Sequence, residues 1–463
     1  MVIFILFMRY FMDPFGCAKN QVDAETMLAL LNDAGWIPSD DPGGADLIIV
    51  NSCGFIETAK QESINAVLAW KKQYPEKKII LAGCLTECCR AELKESLGEA
   101  DGFLGCSDLD RIVKKADELF GTYYEKPDTV IRAGYRPLLS FPGSAYVKIS
   151  EGCNNRCSFC TIPQIRGPLR CRSIPDIIRE CKDLLTRGIK ELCLIGQDLA
   201  SFTQENPGQK NAMRISALAV LLEEIALLSG DFWVRLLYMH PDHFPLDILD
   251  LIVKDSRFLP YFDIPFQHAS GRLLSLMGRS GDKTNYLRLL DTIRTRLPDA
   301  AIRSTFLTGF PGETEEDFAM LLNFQEQARF DWLGVFTWSR EEGTAAYSMK
   351  HRISKKIAAR RKILIEERQI PITEENMNRF VGRNMDILIE EEVKESGLWL
   401  GRLFCQAPEV DGATVIHGDG VITDNFPQGL LKLGGIIRGT VLARAGFDLE
   451  AGLCKLIPPD RLS

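Results

Sequence analysis

The sequence predicts an α/β protein in three parts. These are an N-terminal parallel-sheet domain, a central partial (β/α)6 barrel of the TIM type, and a small antiparallel β-barrel at the C-terminus. Three observations lead there. Continuous aliphatic runs alternate with amphipathic helices through most of the chain, the pattern of parallel strands with helices on their faces. A proline-bearing stretch without periodicity, holding Pro127, Pro137 and Pro142, divides two such regions. From about Phe380 the helices give way to short alternating strands and glycines, the pattern of a small barrel. The boundaries read from these changes are 1–121, a linker over 122–142, then 143–375 and 380–463.

The opening run, "MVIFILFMRYFM", resembles an export signal in composition only. Arg9 interrupts it well short of the roughly 20 apolar residues a membrane helix needs. It also lacks the basic start and small-residue cleavage site of a signal peptide. It reads as a buried first strand with a short extension, in a cytoplasmic protein that does not engage membranes. Pro14 cannot donate to a sheet ladder and so marks the strand's end.

Three strand-then-helix units follow one another. The first strand leads to "PFGCAKN" and a helix through "DAETMLALLNDAG". The second, "ADLIIVNS", leads to "ETAKQESINAVLAW". The third, "KKIILAG", leads to "ECCRAELKESL". A cysteine follows each strand: Cys17, Cys53 and Cys84. In a parallel sheet the carboxyl ends of the strands share one edge, and ligands bind there. Three thiols distant in sequence therefore converge, with Cys88 and Cys89 as alternatives to Cys84.

The second α/β region supplies six strands: "AYVKIS", "ELCLIGQ", "WVRLLYM", "YFDIPFQ", "IRSTFLTGF" and "WLGVFTWS". Helices such as "IPDIIRECKDLLTRG" lie between them, and the long polar helix "SKKIAARRKILIEERQI" comes after. The tail offers "NMDILIEEE", "GLWLGRLF", "GATVIHG" and "IIRGTVLARA" as its strands.

The chain has 463 residues, 46% of them hydrophobic and 25% charged, which is ordinary for a globular protein. A net charge of −8 argues against a broad electrostatic footprint for nucleic acid and leaves room only for a local basic patch. Without an export signal, its 14 cysteines read as metal-binding, catalytic or buried thiols, not as disulfides.

The stretch "EGCNNRCSFC" concentrates Cys153, Cys157 and Cys160 within eight residues. Structural zinc takes four protein ligands, usually in two separated pairs, and the C-x3-C-x2-C spacing fits this poorly. Cubane iron–sulfur clusters take one thiolate per iron. Three thiolates leave one iron open to a chelating small molecule, and the amino and carboxylate groups of S-adenosylmethionine suit that position. An electron passed to the sulfonium then cleaves a carbon–sulfur bond and yields a 5′-deoxyadenosyl radical. By the same count, Cys17, Cys53 and Cys84 make a second three-thiolate site, giving two 4Fe-4S clusters in all.

This motif after a strand, with Phe159 before its last cysteine, resembles the radical S-adenosylmethionine superfamily. The words "GCAKNQVDAE", "VNSCGFIETAKQES", "AGCL", "KISEGCNNRCSFCTIPQIRG", "LPYFDIPFQHAS" and "RSTFLTGFPGETEEDF" resemble its methylthiotransferases, from about Tyr10 to the end. The resemblance implies an N-terminal cluster domain, a radical barrel and a C-terminal TRAM barrel. Within the family, "KISEGCN", "DIPFQHAS" and "APEVDGATVIHG" resemble the branch that modifies an aspartate of small-subunit ribosomal protein S-twelve. The other branch modifies an adenosine of transfer RNA. From residue 380 on, twelve Asp and Glu outnumber eight Lys and Arg. An acidic barrel suits a basic protein better than RNA phosphates, so nucleic-acid contact is secondary in this reading.

The resemblance further implies how the reaction runs. One S-adenosylmethionine methylates sulfur at the N-terminal cluster. A second yields the radical that takes hydrogen from the aspartate β-carbon. A one-electron donor such as flavodoxin or ferredoxin supplies the electrons. It also carries over Gly196, Gln197 and Asp198 as contacts to the methionine end. Arg303 and the "GFPGE" segment, including Gly309 and Glu313, fall near adenine and ribose. Gln267 and His268 follow "DIPF" at a strand end, which is the barrel mouth where sites of this fold lie. Asn20 and Asn51 flank the first-cluster cysteines. Cys106, Cys171, Cys181, Cys193, Cys405 and Cys454 read as packing.

Overall fold

In the computed structural model, residues 8–121, 135–204, 215–394, 396–417 and 431–453 are described. The start of the opening apolar run, most of the linker and Cys454 lie outside them.

The N-terminal part runs β1 (Arg9–Pro14), α1 (Ala18–Asp33), β2 (Ile37–Pro38), β3 (Leu47–Ser52), α2 (Glu57–Gln73), β4 (Lys78–Gly83), α3 (Cys84–Ser96), β5 (Gly102–Gly105) and α4 (Ile112–Phe120). The sheet order is β2-β1-β3-β4-β5, and every pair is parallel. β3 and β4 are central and covered on both faces, so both read as unbroken aliphatic runs. β1 ends at Pro14, as the missing amide requires. The three strand–helix units expected here are present, and β5 with α4 adds a further one that the sequence pattern does not announce. "GFLG" is only four residues long and two of them are glycine, too little for an aliphatic signal.

The central part runs β6 (Ser144–Lys148), β7 (Ser150–Glu151), α5 (Ile162–Ile165), β8 (Arg170–Cys171), α6 (Ile174–Thr186), β9 (Glu191–Ile195), α7 (Ala217–Ala226), β10 (Trp233–Leu236), α8 (Ile248–Lys254), β11 (Phe258–Asp263), α9 (Gly271–Leu276), α10 (Lys283–Arg296), β12 (Ala301–Thr308), α11 (Glu315–Ala328), β13 (Trp332–Thr337) and α12 (Lys355–Asn378). Six parallel strands stand in the order β13-β12-β11-β10-β9-β6, and β7 pairs separately with β8 as a small hairpin. Alternation along each strand sends one set of side chains outward under the helices, among them Val147, Leu194, Val234, Phe262 and Ile302. The other set, with Tyr146, Cys193, Trp233 and Tyr261, points to the concave face. α12 continues through Pro371. Gln369 and Thr373, on either side of that proline, donate to the carbonyls of Phe330 at 2.7 Å and Asp331 at 2.8 Å, which fastens the helix across the lost backbone bond.

The C-terminal part closes five strands into a barrel: β14 (Asn384–Val393), β15 (Leu398–Arg402), β16 (Thr414–His417), β17 (Ile436–Ala445) and β18 (Asp448–Leu453). Four seams are antiparallel and the β16–β18 seam is parallel. The barrel core is continuous with the concave face of the central sheet, and Ala18 and Val22 of α1 join the same cluster. All three parts thus share one apolar seam.

Charges buried at that seam fix its register. Glu191 of β9, fully buried, accepts from Arg235 at 2.7 Å and pairs with Arg402 of β15. Arg402 also donates to Glu390 at 2.8 Å and to the Gln406 carbonyl at 3.0 Å. The "APEVDG" loop enters from the C-terminal barrel: Asp411 accepts from Tyr261 at 2.6 Å and from Arg303 at 3.3 Å.

Candidate active site

The parallel sheet of the N-terminal part brings its strand ends to one edge, and the cysteines stand there. Cys17 is the N-cap of α1, Cys53 follows β3, and Cys84 opens α3. They lie close enough to act on one another: the charges of Cys84 and Cys17 add to the burial that pushes the Cys53 thiol up to about 11. Cys106, read from sequence as packing, follows β5 at the same edge, and its sulfur lies 3.7 Å from that of Cys84. The signal that could have found it is the one used for the other three, a cysteine directly after a parallel strand. The hydrogen bond from Cys106 is the largest cause that lowers the Cys84 thiol to about 6. Gly83 permits the approach: its φ is +96°, and a Cβ there would lie 2.7 Å from Asn51 Oδ1.

Arg166, which the sequence reading did not single out, joins this edge to the central part. Its guanidinium donates to Cys84 Sγ at 3.1 Å, Asn20 Oδ1 at 2.6 Å and Asp23 at 2.6 Å. Asn20 also donates to the Ser52 carbonyl at 2.9 Å, and Asn51 donates to the Asn20 carbonyl at 2.7 Å, so both asparagines brace the edge. Glu151 is pushed up by burial, but Lys148 and Arg166 outweigh that and bring it to about 2. Lys19 reaches the barrel mouth, 3.4 Å from the centre of the Tyr238 ring.

Cys153, Cys157 and Cys160 occupy a loop between β7 and α5. The Cys153 amide donates to the Gly167 carbonyl at 3.2 Å, the Ser158 amide to Met277 at 2.9 Å, and the Cys160 amide to Cys157 at 3.1 Å. Two glycines let the loop be gripped so closely. A Cβ on Gly152 (φ +76°) would meet the Pro168 carbonyl oxygen at 2.1 Å, and one on Gly278 (φ +76°) would meet that of Arg156 at 2.3 Å. Burial raises the Cys153 thiol and pushes that of Cys160 up to about 12, with the other motif cysteines adding to both shifts. Phe159 packs against the core, edge-on to Phe310 with centroids 6.5 Å apart.

The remaining nominated residues divide by what they touch. Ser150 Oγ, Gln197 Oε1, His268 Nε2 and Glu313 Oε1 are buried polar atoms without a hydrogen-bond partner. Ser150 begins β7, and the other three follow β9, β11 and β12. Such atoms need a polar partner, and a ligand bearing amino, carboxylate and hydroxyl groups fits them. Gln267 adopts φ +66°, a strained value for a side-chain-bearing residue, while its amide and carbonyl bond to Thr305 and Leu307 at 2.8 Å. His268 accepts from the Ser270 amide through Nδ1 at 3.1 Å, which leaves Nε2 facing Glu313 at 3.6 Å.

Asp198 is already engaged by the protein. It accepts from Asn155 of the cysteine loop at 2.8 Å, His243 at 2.6 Å, Ser201 at 2.6 Å and the amides of Ala200 and His240 at 3.0 Å. Burial pushes it up, but those bonds prevail and hold it well below the usual carboxylate range. Gly196 is small because Ser150 is near: a Cβ would lie 2.5 Å from its hydroxyl. Gly309, at φ +75°, makes room for Ala358 of α12, and its amide donates to Glu313. Arg303 lies early in β12 on the concave face between Asp263 and Asp411, away from the strand end that carries Gly309.

Among the described residues, no three His, Cys, Asp or Glu side chains converge on a point that would hold a single metal ion. A cubane asks for something else, separate thiolates each on its own iron of a cage. Three thiols at the N-terminal strand edge, with Arg166 bonded to the sulfur of Cys84, and three in the loop after β7 offer the separate thiolates that a cubane requires.

A partial barrel with this cysteine loop at its mouth defines a radical S-adenosylmethionine enzyme. Residues 147–324 match the Radical SAM superfamily, residues 9–105 the family described as Uncharacterized protein family UPF0004, and residues 381–453 the TRAM domain. The protein named ribosomal protein uS12 methylthiotransferase RimO from Treponema denticola is 45% identical, over 95% of this chain and 99% of its own. That of Thermotoga maritima is 39% identical over 90% and 96%. That of Syntrophomonas wolfei is 40% identical over 88% and 93%. The chain belongs to this methylthiotransferase family. Among solved structures, the radical S-adenosylmethionine methyltransferase TsrM of Kitasatospora setae aligns with a TM-score of 0.52 at 15% identity, over 71% of this chain and 72% of TsrM, a likeness of fold.

Proposed function

We propose that the protein transfers a methylthio group to the β-carbon of an aspartate in ribosomal protein uS12, using two 4Fe-4S clusters and two molecules of S-adenosylmethionine. One observation carries this reading: Arg166, four residues past the cysteine loop's last neighbour Ile162, touches the sulfur of Cys84 in the other domain. The two trios thereby open toward one space, and a radical reaction requires near contact between its partners. The relatives' substrate supports the choice of uS12.

Cys153, Cys157 and Cys160 hold one cluster and Cys17, Cys53 and Cys84 the other. Clusters held there would supply one-electron chemistry at the first site and transferable sulfur at the second. The chain's own work is positional. Asp198 anchors the cysteine loop through Asn155. Gln197 keeps a buried polar atom without a protein partner, and His268 and Glu313 face each other. The C-terminal barrel and α1 close the concave face against water. The acidic C-terminal barrel attracts a basic protein. A flavodoxin or ferredoxin in the cytoplasm supplies electrons; among the described residues no helix is long and apolar enough to cross a membrane.

The test is a mass comparison of ribosomal proteins and transfer RNA from cells with and without the gene. Loss of one methylthio group from uS12 is expected. Loss of a methylthio-adenosine with uS12 unchanged would overturn the reading.

A further inference from the structure

A cleft of about 710 Å³ lies between the N-terminal and central parts, outside the barrel mouth. Its lining includes Gly54 and Leu85, the chain neighbours of Cys53 and Cys84. Two free thiols, Cys88 and Cys89, face into it. Adjacent side chains of an α-helix point in different directions and do not meet. Here they do, because α3 leaves helical geometry at Cys89 (φ −130°, ψ 23°), and the two sulfurs come to 2.8 Å.

The surroundings favour a reactive thiolate. The hydrogen bond from Cys88 is the chief cause that lowers the Cys89 thiol to about 7, and the Lys60 ammonium, ion-paired with Glu341 across the cleft, adds to it. Low thiol pKa with partial exposure marks nucleophilic cysteines. Thr161 also lines the cleft, is 6% exposed, and its hydroxyl has no hydrogen-bond partner. That orphaned group asks for a polar ligand.

We propose that this cleft admits a small persulfide and that Cys89 accepts its outer sulfur, close to the N-terminal cysteines. The inference rests on the methylthio-transfer reading, since each such product consumes a sulfur atom. The thiolate of Cys89 attacks the terminal sulfur of the donor R–S–SH. The donor's S–S bond breaks, its electron pair leaves with the inner sulfur as RS⁻, and a new S–S bond leaves Cys89 as a persulfide. No net oxidant or reductant is needed. Around the cleft Glu57, Glu92, Glu341 and Glu342 outnumber Lys60 and Arg340, so the lining favours a donor with an ammonium group, an amino-acid persulfide, over a polyanionic chain of sulfur.

The test uses the full chain with its clusters loaded, exposed without air to one equivalent of cysteine persulfide. The protein is then alkylated without reductant and its peptides are weighed. The peptide holding Cys88 and Cys89 is expected to gain one sulfur atom. In Cys89→Ser the gain falls at least tenfold, and in Cys88→Ser at least half of it persists. Localisation is read on the unaltered protein, so it does not depend on a variant's folding. Sulfur spread evenly over other thiols, or lost in Cys88→Ser and kept in Cys89→Ser, overturns the assignment. Sulfur on Cys89 in a protein that leaves uS12 unmodified sinks the function and spares the site. Unimpaired uS12 methylthiolation by Cys89→Ser, with no peptide marked, does the reverse.

Discussion

Replacing Arg402 by Met tests what holds the C-terminal barrel to the central one. Arg402 is 3% exposed and bridges Glu191, Glu390, Ser144 and the Gln406 carbonyl. Methionine approximates its aliphatic stem but leaves those acceptors short of a donor. Removing one partner of a buried ion pair costs about 3–5 kcal/mol. Arg235 keeps its 2.7 Å bond to Glu191, which places the cost at the lower end, about 3 kcal/mol. At about 2–4 °C per kcal/mol for domains of this size, the transition involving this interface should fall by roughly 6–12 °C. Thermal unfolding followed by circular dichroism reads the shift, and hydrogen exchange of β9 and β15 amides locates it, since a three-part chain need not unfold in one step. Adding Glu390→Gln to Arg402→Met should restore at least about 1 kcal/mol, because it removes the buried carboxylate that Arg402 had paired. A shift under about 2 °C, or a double variant as unstable as the sum of the singles, would refute the electrostatic account of the interface.

Four other outcomes are expected. Glu191 lies well below the usual carboxylate range because Arg402 and Arg235 outweigh its burial. Its stabilisation is therefore complete above the unfolded value of about 4.3 and lost as pH falls below it; acid unfolding of Arg402→Met should lose part of that dependence. Asp411 has the opposite sign: burial raises it to about 6, so stability declines as pH rises from about 4 to 6, and Asp411→Asn should flatten that interval in pH-dependent melting. Gly278→Ala drives a Cβ toward the Arg156 carbonyl oxygen at 2.3 Å, so iron content and visible absorbance should drop while far-ultraviolet circular dichroism changes little. Cys17→Ala and Cys153→Ala should each remove about half of the bound iron and together nearly all; loss of all iron by either alone would contradict two separate sites.

Much of the site was legible because its signals are local. C-x3-C-x2-C is a spacing within one loop, and "cysteine after a buried strand" needs only the strand pattern and the rule that parallel strands end on one edge. The same rule reaches Cys106, but β5 is too short and glycine-rich to announce itself as a strand. The fifth barrel strand, "DLEAGL", is hidden for a similar reason, its alternation being weak beside "IIRGTVLARA". Arg303 shows the converse limit. Its neighbourhood in sequence pointed to the cofactor, yet its side chain leaves the sheet on the concave face toward Asp411, 108 residues later.

The amino-acid sequence alone determined the three-part architecture and the reaction class, and it proposes the six ligand thiols, because periodicity and ligand spacing are properties of a chain segment. Only the tertiary structure decided which groups meet: Arg166 with Cys84 and Arg402 with Glu191 across segments, and Cys88 with Cys89 at a broken helix turn. Those meetings depend on how domains dock and where a helix kinks. They are set by burial and charge pairing summed over distant residues, which no local pattern encodes.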